Sequence, residues 1–493
     1  MKAQVSQEWV QTFGAAHSFY MAMDNDGNIY TAGPSNGNML LLKYDPAGNL
    51  LWSQIYPADG TTGVAVDGNG EVILTGQVTV KYDANGSLLW TASTSFLPKS
   101  IAIDESNNIY LHGQGSAGLQ TVKLNSSGVQ QWIATYTGDF YDQLRKKMVY
   151  KNGYIYVTGD ITLTTSPRNP PLRHILTMKY NASTGAQVWA VTYTHADKIN
   201  QFGNDLIVDG TGNVYVTARV DVKVGSKTHG NWGTLKYNAS GTLQWVKFYD
   251  GNAIEYDNQN NSLGSDVPND IAFDNSGNII VCGTSYTTTG QFTSQDMTTI
   301  KYNPTGTQLW VKTYDDPSHP NDFAQAIISD GSSNVYITGY QTANTGYLNA
   351  ATIKYNSAGA VQWTANYNGG VARALLLDNS ANVYVCGNAV PNSLLIKYSQ
   401  GGGSITRKDM APMQESSFTQ MRLFPNPANN QITIQNSDNK ILGTISIYDM
   451  TGKMILKNES INSSITIDVK KLTAGVYYIR SDNLQATMKF VKR

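Results

Sequence analysis

Residues 352–363 read TIKYNSAGAVQW: a strand ending in Lys-Tyr, a short Asn/Gly turn, then a strand carrying Trp. The same reading recurs at 41–52 (LLKYDPAGNLLW), 79–90 (TVKYDANGSLLW), 121–132 (TVKLNSSGVQQW), 176–189 (LTMKYNASTGAQVW), 234–245 (TLKYNASGTLQW) and 299–310 (TIKYNPTGTQLW). In every copy Gly stands four residues before Trp, from Gly48/Trp52 to Gly359/Trp363. A Gly in that place fits a hairpin turn that needs positive φ. An eighth Lys-Tyr stands at Lys397–Tyr398, but no Trp follows it. The missing Trp strand lies at the other end of the chain, in QEWVQTF (7–13), with Trp9.

Between these units runs a second half-repeat: an apolar strand, an Asp, a Gly/Asn turn, and a Tyr- or Val-rich strand ending near Thr-Gly. Its eight copies are 21–33, 64–76, 101–113, 148–159, 206–218, 271–283, 327–339 and 375–387. Two half-repeats make four strands, one propeller blade, and a sheet with two apolar faces needs neighbours on both sides. Eight first halves match eight Trp strands only if the chain closes into a ring. The expected fold is therefore all-β: an eight-bladed β-propeller over residues 1–399, with N-terminal strand closure of the last blade.

Composition agrees. Charged residues are 14% and the net charge is −1, which excludes an electrostatic nucleic-acid binder. No apolar run approaches the roughly 18 residues of a transmembrane span. Cys282 and Cys386 occupy one repeat position two blades apart, too far for a disulfide, so two separate buried thiols are expected. The repeats resemble bacterial β-propeller repeats and, more distantly, NHL-type repeats, a likeness specific for fold and nearly silent about function.

Topology assigns two faces. The turns within each half-repeat are uniformly short and lie on one face. The opposite face takes the loops 160–174, 219–231, 284–296 and 340–349 and the crossovers 250–267 and 315–322, concentrated in blades four to seven. Long loops carry binding, so the candidate binding residues are Arg173, His174, His229, Trp232, Tyr256, Asp257, Tyr286 and His319. Trp232 lies outside the blade pattern and has two readings: a stacking platform for a sugar or peptide, or a pin for a long loop. No H-x-x-H or H-E-x-x-H spacing occurs, so no metal, cofactor or catalytic residue is assigned. Asp24-Asn25-Asp26-Gly27-Asn28 starts like a calcium loop but lacks the distal acid, and is read as an Asx-type turn.

After Tyr398 the pattern stops. Residues 400–420 are polar and Gly/Ser-rich, a flexible linker, and six short strands over 421–493 suggest a small Ig-like β-sandwich. This segment resembles the C-terminal sorting domain of the type IX secretion system of Bacteroidota-type bacteria. The likeness rests on Leu423-Phe424-Pro425-Asn426-Pro427, Ile447-Tyr448-Asp449-x-x-Gly452-Lys453, Leu472-x-x-Gly475-Val476-Tyr477 and Lys489-Phe490-Val491-Lys492. It implies recognition by the translocon and the outer-membrane shuttle and sortase machinery, and a secreted or cell-surface destination. The family also uses an N-terminal export signal. The first residues lack that layout, so the signal is expected to have been removed.

Two functions compete for the propeller. A non-catalytic glycan- or protein-binding (adhesion) module is favoured. The alternative is an enzyme acting on extracellular substrates, quinoprotein-like or polysaccharide-active. Residues 181–189 mimic the Thr-Gly-x-x-x-Trp docking repeat of pyrroloquinoline-quinone dehydrogenases, but no vicinal cysteine pair accompanies them.

Overall fold

Seven of the eight blades turn from their first strand to their second at an aspartate. Asp24 Oδ1 accepts the N–H groups of Asp26 (3.1 Å) and Asn28 (2.8 Å), folding the chain back after the strand Tyr20–Met23 into Ile29–Ser35. Asp67, Asp104, Asp209, Asp274, Asp330 and Asp378 close the same Asx turn in their own repeats. A short side-chain acceptor two residues back substitutes for a backbone turn bond, which is why Asp recurs there.

The computed structural model describes residues 5–492 except 15, 138–146, 163–171, 198, 225–226, 252–265, 290–291, 317–320, 344–345, 401–420, 425–427, 437–440, 450–453 and 482–485. It divides into two units, Met1–Gly402 and Gly403–Arg493. Among the described residues the first unit holds eight four-stranded antiparallel blades, the sixth and seventh joined by one parallel bridge, Gln295↔Asn321. The first strands of successive blades neighbour one another round the axis, and the ring closes where Tyr20–Met23 meets Val371–Leu377. Blade eight takes its outer strand from the N-terminus: Ser6–Phe13 pairs antiparallel with Asn392–Ser399, from Ser6↔Ser399 to Phe13↔Ser393. The expected closure is the observed one.

The Gly-x-x-x-Trp signature has a direct steric cause. Seven glycines (48, 86, 128, 185, 241, 306 and 359) have φ between +74° and +88°. A Cβ on any of them would stand 2.7–3.0 Å from an indole carbon of the preceding blade, with Gly48 facing Trp9. The turn must be left-handed and must also admit a tryptophan face, so only glycine serves.

The Lys of Lys-Tyr and the Trp of the next strand share one acceptor on the following blade. Lys43 Nζ and Trp52 Nε1 both donate to Ala84 O, at 3.1 and 3.0 Å. The arrangement repeats at Ser126, Ala182, Ala239, Pro304 and Ser357. The first six blades are thus each fastened to the next by two donors on one carbonyl. Blade eight has no comparable turn between its third and fourth strands, since those strands come from opposite ends of the chain. There the side-chain oxygen of Gln400 receives Lys354 Nζ in place of a carbonyl. Cys282 and Cys386 are separate buried thiols.

The second unit, taken by itself, is a two-sheet sandwich. One sheet pairs Met421–Phe424, Gln431–Asn436 and Ser464–Asp468; the other pairs Met454–Ser460, Gly443–Tyr448, Gly475–Ser481 and Ala486–Lys492. Ile432, Ile434, Ile445, Ile447, Ile467 and Ile479 fill the space between them. Among the described residues no helix is long and apolar enough to cross a membrane.

Candidate functional site

The face opposite the Asx turns is uneven. In blades one and three the second and third strands are joined tightly, through Ser35↔Asn38 and Gly115↔Gly118. In blades five and six the same strands grow to eleven residues each, Val214–Val224 with Lys227–Tyr237 and Ile279–Thr289 with Phe292–Tyr302. Pairing continues out to Val224↔Lys227 and Thr289↔Phe292. Segments 219–231 and 284–296, expected as loops, are therefore largely extended hairpins. Their alternating Thr, Val and Tyr residues favour continued pleating, a β-propensity the loop reading overlooked.

Beneath these hairpins lie the seams between blades, where polar side chains replace core residues. Gln201, Asp266 and Asp322 hold one position at or just before the inner strands of blades five, six and seven, and all three are fully buried (0% exposed). Across each seam from them stand His174, Asn231 and Asp296, equivalent residues of the third strands of blades four, five and six, also buried. The polar groups differ from seam to seam.

The seam between blades four and five sets two ion-paired arginines around an aromatic ring. The guanidinium groups of Arg173 and Arg219 lie 5.2 and 5.4 Å from the ring centroid of Phe202. Each is held by a carboxylate: Arg173 Nη1 is 3.8 Å from Asp160 Oδ2, and Arg219 Nε is 2.8 Å from Asp221 Oδ1. Contacts of this kind hold an aromatic face between two flat cations. Burial lowers the His174 pKa, so its imidazole is neutral, with Nδ1 3.0 Å from Thr194 Oγ1. At the seam between blades five and six, Asp266 accepts the backbone N–H of Gly251 (2.5 Å) and of Tyr286 (2.7 Å). Burial nevertheless pushes its carboxyl up to about 7. The seam between blades six and seven is acidic, with Asp296 and Asp322 facing each other beside Asp315.

Trp232 is buried, 1% exposed. Its Nε1 donates to Thr284 O at 3.2 Å and its ring lies 5.5 Å from that of Tyr249. Of its two readings, the geometry is that of a pin: the indole fastens blade five's third strand to blade six and offers no face to solvent. Tyr286 is likewise buried. Arg173, His174 and Asn231 gather along neighbouring seams, and His229 lies on the blade-five hairpin, opposite Val222. Tyr256, Asp257 and His319 lie outside the described residues. In the sandwich, Tyr477 is buried with its hydroxyl donating to Thr473 O at 3.0 Å, Gly475 and Lys489 lie on paired strands, and Lys492 is buried beside Ala428. Pro425, Asn426, Pro427, Gly452 and Lys453 lie outside the described residues.

A second polar cluster lies along the inner strands. Lys147, Asp205 and Asp270 are equivalent residues of the inner strands of blades four, five and six. Lys147 Nζ is 3.2 Å from Asp205 Oδ2, and its side chain stays half exposed. Asp270 Oδ2 accepts Ile327 N–H of the next blade at 2.9 Å. Burial raises the Asp205 pKa, partly offset by Lys147, and the Asp205 charge raises that of Lys147. Sequence reasoning passed over this cluster because an Asp or Lys within an apolar strand gives no motif.

Residues 422–493 match the family described as the secretion system C-terminal sorting domain. The second unit therefore carries the type IX sorting domain expected from its motifs. Over 429 residues the chain is 22% identical to an uncharacterized WD repeat-containing protein of Acanthamoeba polyphaga mimivirus, covering 68% of this chain and 30% of that protein. It thus spans under a third of that relative's length. Among solved structures the chain is similar to BamB from Moraxella catarrhalis (TM-score 0.52, 13% identity, 80% of this chain and 100% of that one). It is similar to the Dos1 propeller (TM-score 0.52, 10% identity, 81% and 96%). It is also similar to a quinohemoprotein alcohol dehydrogenase from Pseudomonas putida HK5 (TM-score 0.50, 13% identity, 81% and 77%). At these identities the likeness bears on the propeller fold alone.

Proposed function

We propose that this chain is cargo of the type IX machinery, delivered outside the cell or to its surface, and that its propeller is a non-catalytic binding module for an extracellular glycan or protein. The sorting-domain match supports the export half of that reading. The observation carrying the other half is the pair of eleven-residue hairpin strands in each of blades five and six, above seams lined with buried polar side chains.

The Arg173–Phe202–Arg219 group is the part of this face best suited to a ligand. It combines an aromatic surface with partly exposed guanidinium groups held in fixed planes, and preorganised groups of that kind lose little entropy on binding. Trp232 serves the module by holding the hairpins in place.

The test is a binding screen of the full chain against polysaccharides and cell-envelope extracts, with Arg219→Ala and Phe202→Ala compared in parallel. A ligand whose capture drops about tenfold or more with either substitution, roughly the loss of one 1.4 kcal/mol interaction, supports the reading. Capture unchanged by both rejects this face. Dye reduction on addition of pyrroloquinoline quinone and calcium would establish the enzyme instead.

A further inference from the structure

Among the described residues of the propeller, Arg373 is the arginine that no carboxylate holds, whereas Arg173 has Asp160 and Arg219 has Asp221. It stands on the first strand of blade eight, where the register of Val371–Leu377 against Val383–Ala389 slips between Ala372 and Ala374. The slip makes Arg373 the extra residue of a β-bulge, a device that re-aims a side chain. The residue is exposed.

Aromatic pairs from both neighbouring blades hold its guanidinium. The Arg373 Cζ lies 5.9 Å from the ring centroid of Phe19, at the entry to blade one, and 5.6 Å from that of Tyr340 in blade seven. Each ring is itself stacked: Phe19 on His17 at 5.4 Å and 13°, Tyr340 on Phe323 at 4.8 Å and 20°. Phe323 and Tyr340 are directly paired across the strands of blade seven. Residues 16–19 are laced to both sides of the closing seam. Ala16 and Ser18 N–H donate to Pro391 O and Gly387 O of blade eight, and His17 and Phe19 N–H donate to Pro34 O and Ala32 O of blade one. An exposed arginine ordinarily gives up side-chain entropy to hold one geometry. Here the rings have already fixed it, so a ligand meets a preorganised cation.

The guanidinium edge is mostly unused. Nη1 donates to Gln325 Oε1 of blade seven at 3.3 Å, and the other N–H groups have no partner among the described residues. No acidic side chain belongs to the cluster. A planar guanidinium with a free edge matches a carboxylate through two parallel hydrogen bonds. One positive charge also balances one carboxylate better than a phosphate monoester, which carries nearly two. Beside the guanidinium stand the Tyr340 hydroxyl, without a hydrogen bond to a described residue, and the Gln325 amide, itself on a bulge between Ala324 and Ala326. These neutral groups donate and accept, as the hydroxyls of a sugar require.

We propose that Arg373, framed by Phe19 and Tyr340, binds the carboxylate of an acidic polysaccharide, with Tyr340 and Gln325 meeting the hydroxyls of the same uronate unit. The site joins blades seven, eight and one. It is separate from the Arg173–Phe202–Arg219 group, so either can fail without the other. Its specificity is for charge: the uncharged ester of the same sugar leaves the guanidinium edge unmatched.

The experiment is titration calorimetry of the full chain at about 50 mM salt, where surface charge is weakly screened. The probes are galacturonate and glucuronate oligomers, their methyl esters, and a short peptide with a free or an amidated C-terminus. At least one of the uronate oligomers should bind, and its ester should bind about tenfold or more weakly, the loss of a charge-assisted pair. Arg373→Gln should lower uronate affinity by a similar factor. Arg373→Lys, which keeps the charge and most of the side-chain stem, should also lose several-fold because an ammonium cannot present the planar fork. Lys99 is the equivalent bulge residue of blade three and has no ring stack. Lys99→Ala should leave uronate binding within about twofold, which separates recognition from net charge. No uronate binding, equal binding of acid and ester, binding retained by Arg373→Gln, or an equal loss in Lys99→Ala would overturn the proposal. Capture of the free-terminus peptide in preference to both uronates would overturn it in favour of a protein partner.

Discussion

Lys397 Nζ donates to the carbonyl oxygen of Pro46 at 3.2 Å, across 351 residues of sequence. This is the last link of a series in which the equivalent lysines of the first six blades each hold a turn carbonyl of the next. Here the next blade is the first. On its other side Lys397 is 2.9 Å from Glu8 Oε2 of the borrowed outer strand. One side chain thereby joins blade eight to blade one and to the strand that completes it.

Removing residues 1–13 deletes the outer strand of blade eight and Trp9, whose indole lies against Gly48. Losing this partly buried tryptophan alone costs a share of the about 3–5 kcal/mol lost with a fully buried one, and the third strand of blade eight becomes an unpaired edge. The truncated chain should unfold at markedly lower urea than the parent and should associate on storage. Circular dichroism melts and light scattering check both, and an unchanged midpoint would contradict closure of the ring by this strand.

Gly128 and Gly70 have nearly the same backbone, φ +80° and +76°. A Cβ at Gly128 would meet the Trp90 indole at 2.7 Å, while at Gly70 nothing stands within 4 Å. Alanine at either position carries the left-handed penalty of about 1–2 kcal/mol. Only at Gly128 does overpacking add about 1–3 kcal/mol. Gly128→Ala should therefore be the more destabilising by that difference in paired urea titrations.

Gln400 accepts from Lys354 and donates to Tyr336 Oη at 3.0 Å and to Ala381 O. Burial already lowers the Lys354 pKa. Gln400→Ala leaves this half-buried ammonium without its substitute carbonyl and should cost about 1–3 kcal/mol, read as a lower unfolding midpoint. Gln400→Glu restores an acceptor and should recover most of the loss.

Two classes of aspartate set opposite pH limits. Asp24, Asp45, Asp83, Asp104, Asp209, Asp274 and Asp330 are held below the usual carboxylate range, chiefly by turn N–H and Asn side-chain bonds against any burial. Their folded form binds fewer protons than the unfolded chain, so their stabilisation is lost as pH falls below about 4. Asp266, Asp296 and Asp322 are raised to about 7, 7 and 6 by burial. Their folded form binds more protons, so stability declines as pH rises from about 4 to about 7. The unfolding temperature should peak between about pH 4 and 6. A monotonic rise to neutrality would contradict the buried assignments.

The ring was legible because its determinants are local and recur in nearly every repeat. The Asp of the Asx turn, the left-handed Gly and the Trp it faces are fixed by spacing within one repeat. Even the closure was readable, since Trp9 completed a series that Lys397–Tyr398 left open. The functional face was less so. Gln201, Asp266 and Asp322 are aligned by the repeat, but their meeting with His174, Asn231 and Asp296 depends on which strands touch across a seam. Asp296 and Asp322, 26 positions apart, carry no spacing motif. Trp232 stood out for breaking the pattern, and only burial distinguishes a pin from a platform.

The borrowed strand also orders events in time. Synthesis from the N-terminus makes Ser6–Phe13 first and its partner Asn392–Ser399 nearly last, so the earliest segment of the propeller is the last to be paired. Until residue 399 is available, seven blades can stack, but the ring stays an open arc with an unsatisfied end. Its closing contact is among the most sequence-distant in the chain, the kind that forms late in folding. The sorting domain begins only after that strand. A chain presenting its address has therefore already made every strand needed to shut the ring.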